Sequence, residues 1–242
     1  MQISVVVPVH NEQENIESLI AEIAAALQPL YTFEMIFVDD GSSDATLAKL
    51  KTAALKYPQL RILHHQVCCG QSRAIHTGVS AAQYSWIATL DGDGQNDPAD
   101  ICKLAEEQQQ HENSESLWML AGFRHKRNDN GWRKFSSRFA NSIRQKILQD
   151  NTPDTGCGLK LFLRDKFLQL PYFDHIHRFL PAMILATGGQ VISVKVNHRP
   201  RNHGQSKYGT LDRLMAGIID LLGVVWLKKR SSLPKITEVT RG

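Results

Sequence analysis

Through the first 120 residues, short apolar runs alternate with stretches whose apolar positions recur every three or four residues. Ile3 to Val7 is a β-branched run closed by Pro8, and Ile16, Leu19, Ile20, Ile23 and Leu27 mark a helix within residues 12–28. Met35 to Val38 predicts a second strand, ended by Asp39-Asp40-Gly41-Ser42, and Ser42 or Ser43 is placed to cap the helix that follows, through about Tyr57. Arg61 to His64 and Trp86 to Leu90 read as further strands, with a helix from Gln71 to Gln83 between them. A polar helix over about 99–112 and an apolar strand near Leu117–Ala121 follow. Strands alternating with helices imply βαβ units and a doubly wound, mainly parallel sheet, an α/β fold of Rossmann-like type. In such sheets ligands sit beyond the carboxyl ends of the strands. Both acidic clusters, Asp39/Asp40 and Asp91/Asp93, fall there.

Past Pro98 the pattern loosens and basic residues gather. Eight Lys/Arg and one acid, Asp129, lie between Arg124 and Lys146, and a second cluster holds Lys195, Arg199, Arg201 and Lys207. No linker or repeat interrupts the chain, so a single domain is expected. Near the end, Leu211, Leu214, Met215, Ile218, Leu222 and Val225 form a helical stripe that Ile219 and Trp226 widen, with Lys228-Lys229-Arg230 directly after. Leu214 to Leu227 is too short to span a bilayer and contains Asp220. The pattern fits an amphipathic helix lying at a membrane surface, and equally a helix packed on the protein's own core. The expected division is therefore 1–210 for the α/β domain, 211–230 for the amphipathic helix and 231–242 for a tail.

Composition narrows the function classes. With 242 residues, 42% apolar and 21% charged, the chain can bury a large core and is not a disordered chain. A net charge of +4 is too small to argue for nucleic acid. The four cysteines form no C-x-x-C pair, so reduced thiols in a cytosolic setting are expected. Met1-Gln-Ile-Ser-Val carries no basic region of the signal-peptide kind.

Asp91-Gly92-Asp93-Gly94 sets two carboxylates two residues apart beside glycines. Mg²⁺ and Mn²⁺ take hard oxygen ligands of this kind together with substrate phosphates, while a lone pair of acids is also a common solvated turn. An EF-hand is excluded, because its Gly and Glu positions hold Asn96 and Cys102.

Taken with their order, these motifs resemble a known family. Val6-Val7-Pro8-Val9-His10-Asn11-Glu12, Val38-Asp39-Asp40-Gly41-Ser42-Ser43-Asp44-Ala45-Thr46 and Asp91-Gly92-Asp93-Gly94-Gln95-Asn96-Asp97-Pro98 resemble the family 2 glycosyltransferases of GT-A fold. Gly122-Phe123-Arg124, Trp132-Arg133 with Ser137-Arg138 and Asn141, Asp154-Thr155-Gly156-Cys157-Gly158, His177-Arg178-Phe179 and the run from Arg201 to Tyr208 are similar to its polyprenyl-phosphate sugar transferases, typified by dolichol-phosphate mannose synthase.

The resemblance implies roles. Pro8, His10 and Glu12 would meet the nucleotide, with His10 where the family often has Tyr. Asp39 or Asp40 would read the base. Asp91 and Asp93 would hold Mg²⁺ or Mn²⁺ and face the diphosphate, with Gln95 nearby. Arg124 and Arg133 would serve the reaction centre. Arg133, Ser137, Arg201 and Lys207 would bind the lipid phosphate. The implied reaction is inverting transfer of a sugar from a GDP- or UDP-sugar to a dolichyl or undecaprenyl phosphate by a peripheral enzyme on the cytoplasmic membrane face, which leaves open an integral-membrane partner. A lipid phosphate is already anionic, so cations rather than a strong base are what the chemistry needs. A family 2 enzyme extending a cell-surface glycan on a saccharide would need a general base, for which Asp154 is the candidate. A non-catalytic nucleotide or membrane-surface binding module would not need Asp91, Asp93, Arg133, Arg201 and Lys207 together.

Overall fold

The computed structural model describes residues 1–124, 144–200 and 210–230, with side chains from 217 onward in the last segment. Arg133, Ser137, Arg201 and Lys207, together with the tail 231–242, lie outside the described residues. The strands are β1 (Gln2–Val9), β2 (Thr32–Asp40), β3 (Leu60–His65), β4 (Trp86–Thr89), β5 (Leu117–Arg124), β6 (Lys160–Leu163) and β7 (Gln190–Val196). The helices labelled here are α1 (Ile16–Leu27), α2 (Thr46–Ala54), α3 (Gln71–Ala81), α4 (Asp100–Gln110), α5 (Arg164–Leu168), α6 (Ile176–Ala186) and α7 (Thr210–Arg230).

The strands form one sheet in the order β3-β2-β1-β4-β6-β5-β7. β1 pairs in parallel with β2 and β4, β2 with β3, and β5 with β7. β6 runs antiparallel to both of its neighbours, β4 and β5. The sheet is thus mixed, and the parallel half is the part that the alternation of strands and helices predicts.

β1, β2 and β4 read as largely continuous apolar runs because both faces are covered. Along β1, Ile3, Val5, Val7 and Val9 enter a cluster with α1, Leu50 of α2 and the apolar side of α4. Val6 points the other way, into a cluster with Ala74, Ile75 and Val79 of α3, Phe167 of α5 and much of α6. Gly78 of α3 sits so close to β1 that a Cβ there would fall 2.5 Å from a Val6 methyl.

Two local expectations are corrected. Neither Ser42 nor Ser43 caps α2: Ala45 holds the cap position, the Thr46 amide donates to Asp44 Oδ1 at 2.9 Å, and the Ser42 hydroxyl receives the Asn11 amide instead. Val225, counted on one stripe with Ile218 and Leu222, faces inward with Leu221, Val224 and Leu227, while Ile218, Ile219, Leu222 and Trp226 are exposed. α7 therefore has two apolar faces, one of them packed. Asp220 accepts from His175 Nδ1 at 2.7 Å, and Lys228 Nζ donates to the Leu148 carbonyl.

At the end of the sheet opposite the acidic clusters, buried Glu34 joins three strands. It accepts from Ser4 Oγ and from the Gln83 amide, each at 2.7 Å, and pairs with Arg61 at 2.5 Å. Removing it leaves the Ser4 hydroxyl and the Gln83 amide to find other acceptors, whereas partly exposed Arg61 can turn to water. We expect Glu34→Ala to lower unfolding free energy by about 2 kcal/mol in urea titration, with nucleotide binding unchanged.

Candidate active site

Four strand ends and the loops after them build the site. β1 leads into His10, whose Nδ1 lies 2.7 Å from the Asp40 carbonyl, and into Glu12, whose amide donates to Thr46 Oγ1 at 2.9 Å. β2 ends at Asp39 and Asp40, both buried. Asp39 accepts from the Ser42 amide at 3.2 Å and pairs with His64 at 2.8 Å. Asp40 pairs with His65 at 2.7 Å and accepts from the Cys69 and Gly70 amides at 2.9 and 2.7 Å. Burial pushes the Asp40 carboxyl up, but these hydrogen bonds outweigh it and hold the group below its ordinary value. Pro8, His10, Glu12, Asp39 and Asp40 thus share one region, although both carboxylates already serve the chain's own donors.

Asp91 follows β4. Its amide donates to Asn96 Oδ1 at 3.0 Å, and its Oδ1 accepts from Gln71 Nε2 at 2.8 Å, at the start of α3. The carboxylate presses against Gly158: a Cβ there would fall 2.2 Å from Asp91 Oδ2, so only glycine fits. Thr89 Oγ1 holds this contact by donating to the Gly158 carbonyl at 2.7 Å. Burial, and then the charge of Asp93, raise the Asp91 carboxyl to about 6, against the pull of Lys160, Gln71 and Arg124. Asp93 Oδ1 accepts the Gln95 amide at 3.1 Å, which fixes the turn that follows Asp93. The donor set is hard oxygen at a place short of positive charge, which fits a divalent cation of the Mg²⁺ or Mn²⁺ type.

Arg124 ends β5 and grips Asp154 with two parallel hydrogen bonds, Nε to Oδ2 at 2.5 Å and Nη2 to Oδ1 at 2.8 Å. Asp154 is therefore committed to a guanidinium, in the geometry that most favours its ionised form. The loop carrying Asp91 to Asp97 is also laced to the chain beyond β7. The Arg199 amide donates to the Gln95 carbonyl at 3.0 Å, its guanidinium reaches Asp97 at 2.9 Å, and the Asn197 amide donates to Asp100 at 2.5 Å. The two basic segments thus leave the described fold beside the acidic loop, one after Arg124 and the other after Pro200.

Two contributors escape a motif reading, and a third lies inside one of the quoted motifs without an assigned role. Lys160 is buried in β6, its Nζ donating to the Cys157 carbonyl, and burial lowers its pKa. A lone lysine between Leu159 and Leu161 is the signal that marks it. Gln71 has none. His177 stands within the resembling His177-Arg178-Phe179 run, and its Nδ1 lies 2.7 Å from Ser72 Oγ. Gln71, Asp91, Gly158, Lys160 and His177 border a small open cavity.

The profile of the family described as glycosyl transferase family 2 matches residues 4–170. The chain belongs to that family. It is 35% identical over 239 residues to a dodecaprenyl-phosphate galacturonate synthase of Rhizobium johnstonii, covering 97% of this chain and 69% of that protein. It is 30% identical over 212 residues to an undecaprenyl-phosphate 4-deoxy-4-formamido-L-arabinose transferase of Edwardsiella ictaluri, covering 86% of this chain and 63% of that protein. The chain thus spans about two thirds of the length of these relatives.

Among solved structures, glucosyl-3-phosphoglycerate synthase from Mycobacterium tuberculosis in complex with Mg²⁺ and UDP superposes with a TM-score of 0.67 at 19% identity, over 94% of this chain and 79% of that one. A mannosyltransferase from Pyrobaculum calidifontis in complex with GDP-Man and Mn²⁺ gives 0.69 at 18% identity, over 95% and 64%. These likenesses establish the GT-A-like α/β fold.

His177 generates a pH prediction. Burial, and then the charges of Lys160, Arg178 and His175, hold its pKa well below 6.5. In the unfolded chain it takes a proton near 6.5, so below that pH the unfolded state binds more protons and stability falls with falling pH. Between about pH 8 and pH 5.5, His177→Gln should lose less melting temperature than wild type in paired thermal scans.

Proposed function

We propose that this family 2 glycosyltransferase moves a sugar from a GDP- or UDP-sugar to a polyprenyl phosphate at the cytoplasmic face of a membrane, with inversion. The observation that carries this reading is the Arg124–Asp154 pair. The residue best suited by sequence to deprotonate a sugar hydroxyl is clamped by a guanidinium, so the site favours an acceptor that arrives already ionised. A lipid phosphate is such an acceptor, and both relatives are named for polyprenyl-phosphate products or acceptors. The acceptor's phosphate oxygen attacks the anomeric carbon, the bond from that carbon to the donor diphosphate breaks, and the nucleoside diphosphate leaves with the electron pair. No proton need move.

Asp91 and Asp93 would hold Mg²⁺ or Mn²⁺, which supplies counter-charge for the leaving diphosphate. Gln71 and Gly158 keep the Asp91 carboxylate in place, while Asp39, Asp40, His10 and Glu12 shape the nucleotide end. Arg133, Ser137, Arg201 and Lys207 are assigned to phosphate by sequence, on segments that begin at the acidic loop.

Transfer from each nucleotide-sugar to undecaprenyl phosphate and to undecaprenol tests the acceptor class. Transfer to the phosphate alone is expected, with turnover in Asp93→Asn lower by about 10²–10³ at an unchanged melting temperature. Transfer to the alcohol or to a free oligosaccharide, with none to the phosphate, would transfer the assignment to the glycan-extending reaction.

The lipid must be met at its surface, and we assign that contact to residues 211–230. No helix among the described residues is long and apolar enough to cross a membrane. Leu222 and Trp226 are 65% and 61% exposed on α7, beside exposed Lys229 and Arg230, whereas Lys228 turns inward to Leu148. We expect the protein to co-sediment with anionic vesicles, less so at high salt. Leu222→Ser with Trp226→Ser should abolish sedimentation without lowering the melting temperature, because neither side chain is in the core. Wild-type protein that ignores vesicles would move the membrane contact to an integral-membrane partner.

A further inference from the structure

The loop from Val67 to Gly70 joins β3 to α3 and lies directly on the turn after β2. Gly41, at φ +66°, approaches it so closely that a Cβ would fall 2.6 Å from the Cys68 nitrogen. That approach brings Asp40 beside three residues of a later segment. Asp40 and His65 come from adjacent strands in register, and Cys68 and Cys69 come from the loop. One ligand atom each from Asp40, His65 and Cys69 lies within 4.8 Å of the others. The Cys68 thiol donates to Asp40 Oδ2 at 3.3 Å.

We propose that this cluster is a binding site for a thiophilic divalent cation of the zinc class, separate from the Asp91/Asp93 site. Cys69 Sγ, His65 Nδ1 and an Asp40 oxygen are its three ligands, with the Cys68 thiol next to them for the fourth position. Thiolate and imidazole select Zn²⁺-like ions, whereas the carboxylates and phosphates of the Asp91/Asp93 region select Mg²⁺ or Mn²⁺.

The groups around the ligands favour the same ion. His65 Nε2 lies 3.0 Å from Thr77 Oγ1, the outward hydrogen bond that orients a metal-binding imidazole, and it turns Nδ1 toward Asp40 Oδ1 at 2.7 Å, where an ion bound by both would replace the shared proton. Asp40 is held by the Cys69 and Gly70 amides, so its carboxylate is already aimed. Both thiols are exposed, which gives the ion a path in, while Asp40 and His65 sit deeper. The thiolates lose their protons to solvent on binding, and no redox change is involved.

The inference does not depend on the sugar or the acceptor, and its test uses neither. Co²⁺ titrated into the intact, reduced protein reports both geometry and ligand type. A thiolate-to-cobalt charge-transfer absorption with tetrahedral visible bands is expected, displaced by Zn²⁺ and unaffected by excess Mg²⁺. The band should vanish in Cys69→Ser, whose melting temperature should match wild type because the side chain is exposed. It should persist in Asp93→Asn and in Cys102→Ser. Absence of the charge-transfer band in wild type overturns the proposal, as does its survival in Cys69→Ser or its loss in Asp93→Asn.

Discussion

A half-buried negative charge at Asp91 is the constraint around which the site is arranged. The carboxylate is pressed against the Cα of Gly158 and has Asp93 two residues away. Like charges at such range disfavour one another strongly, and burial adds to the cost. Part of the compensation is built into the chain: the Gln71 amide at one oxygen, Lys160 buried in the neighbouring strand, and Arg124 farther out. The remainder is a demand for a cation. This is why the antiparallel strand β6 matters to function. It carries Lys160 next to β4 and follows directly on the loop that contains Gly158.

The same electrostatic economy extends outward. Arg124 holds Asp154, Arg199 holds Asp97, and Asn197 holds Asp100, so the acidic loop is enclosed by donors from β5 and from the chain after β7. In the proposed reaction, an Asp154 bound to a guanidinium suits two anionic reactants better than a neutral hydroxyl. The relation between the two anions then depends on positioning more than on proton transfer.

The first half of the fold was legible because β1, β2 and β4 are apolar runs buried on both faces and the helices between the strands each carry an apolar side. The second half was less so, for physical reasons. β6 is four residues long and bears a lysine, so neither its hydropathy nor its length announces a central strand. The Ser42 hydroxyl has two amides within reach in principle, and tertiary contact with Asn11 decides between them. The stripe along α7 gave a period but not a side. Two apolar faces share that period, and only packing against α6 shows that Val224 is inside and Leu222 outside. Among the site residues, those on strand ends were readable from acidic motifs. Gln71 and the Asp40–His65–Cys69 cluster arise from contacts between distant segments and leave no local pattern.

The fastening of α7 has a geometric consequence. Asp220 is tied to His175 at the head of α6, and Lys228 to the carbonyl of Leu148. At 1.5 Å per residue the two ties are about 12 Å apart along the helix axis, and both lie away from Leu222 and Trp226. A rod pinned at two points can neither roll about its axis nor pivot. Any plane that meets the outer face of α7 therefore meets the whole domain at one tilt and one height. The distance from that plane to the cavity beside Asp91 is then a fixed dimension of the fold, set by side-chain fastenings far from the reacting atoms.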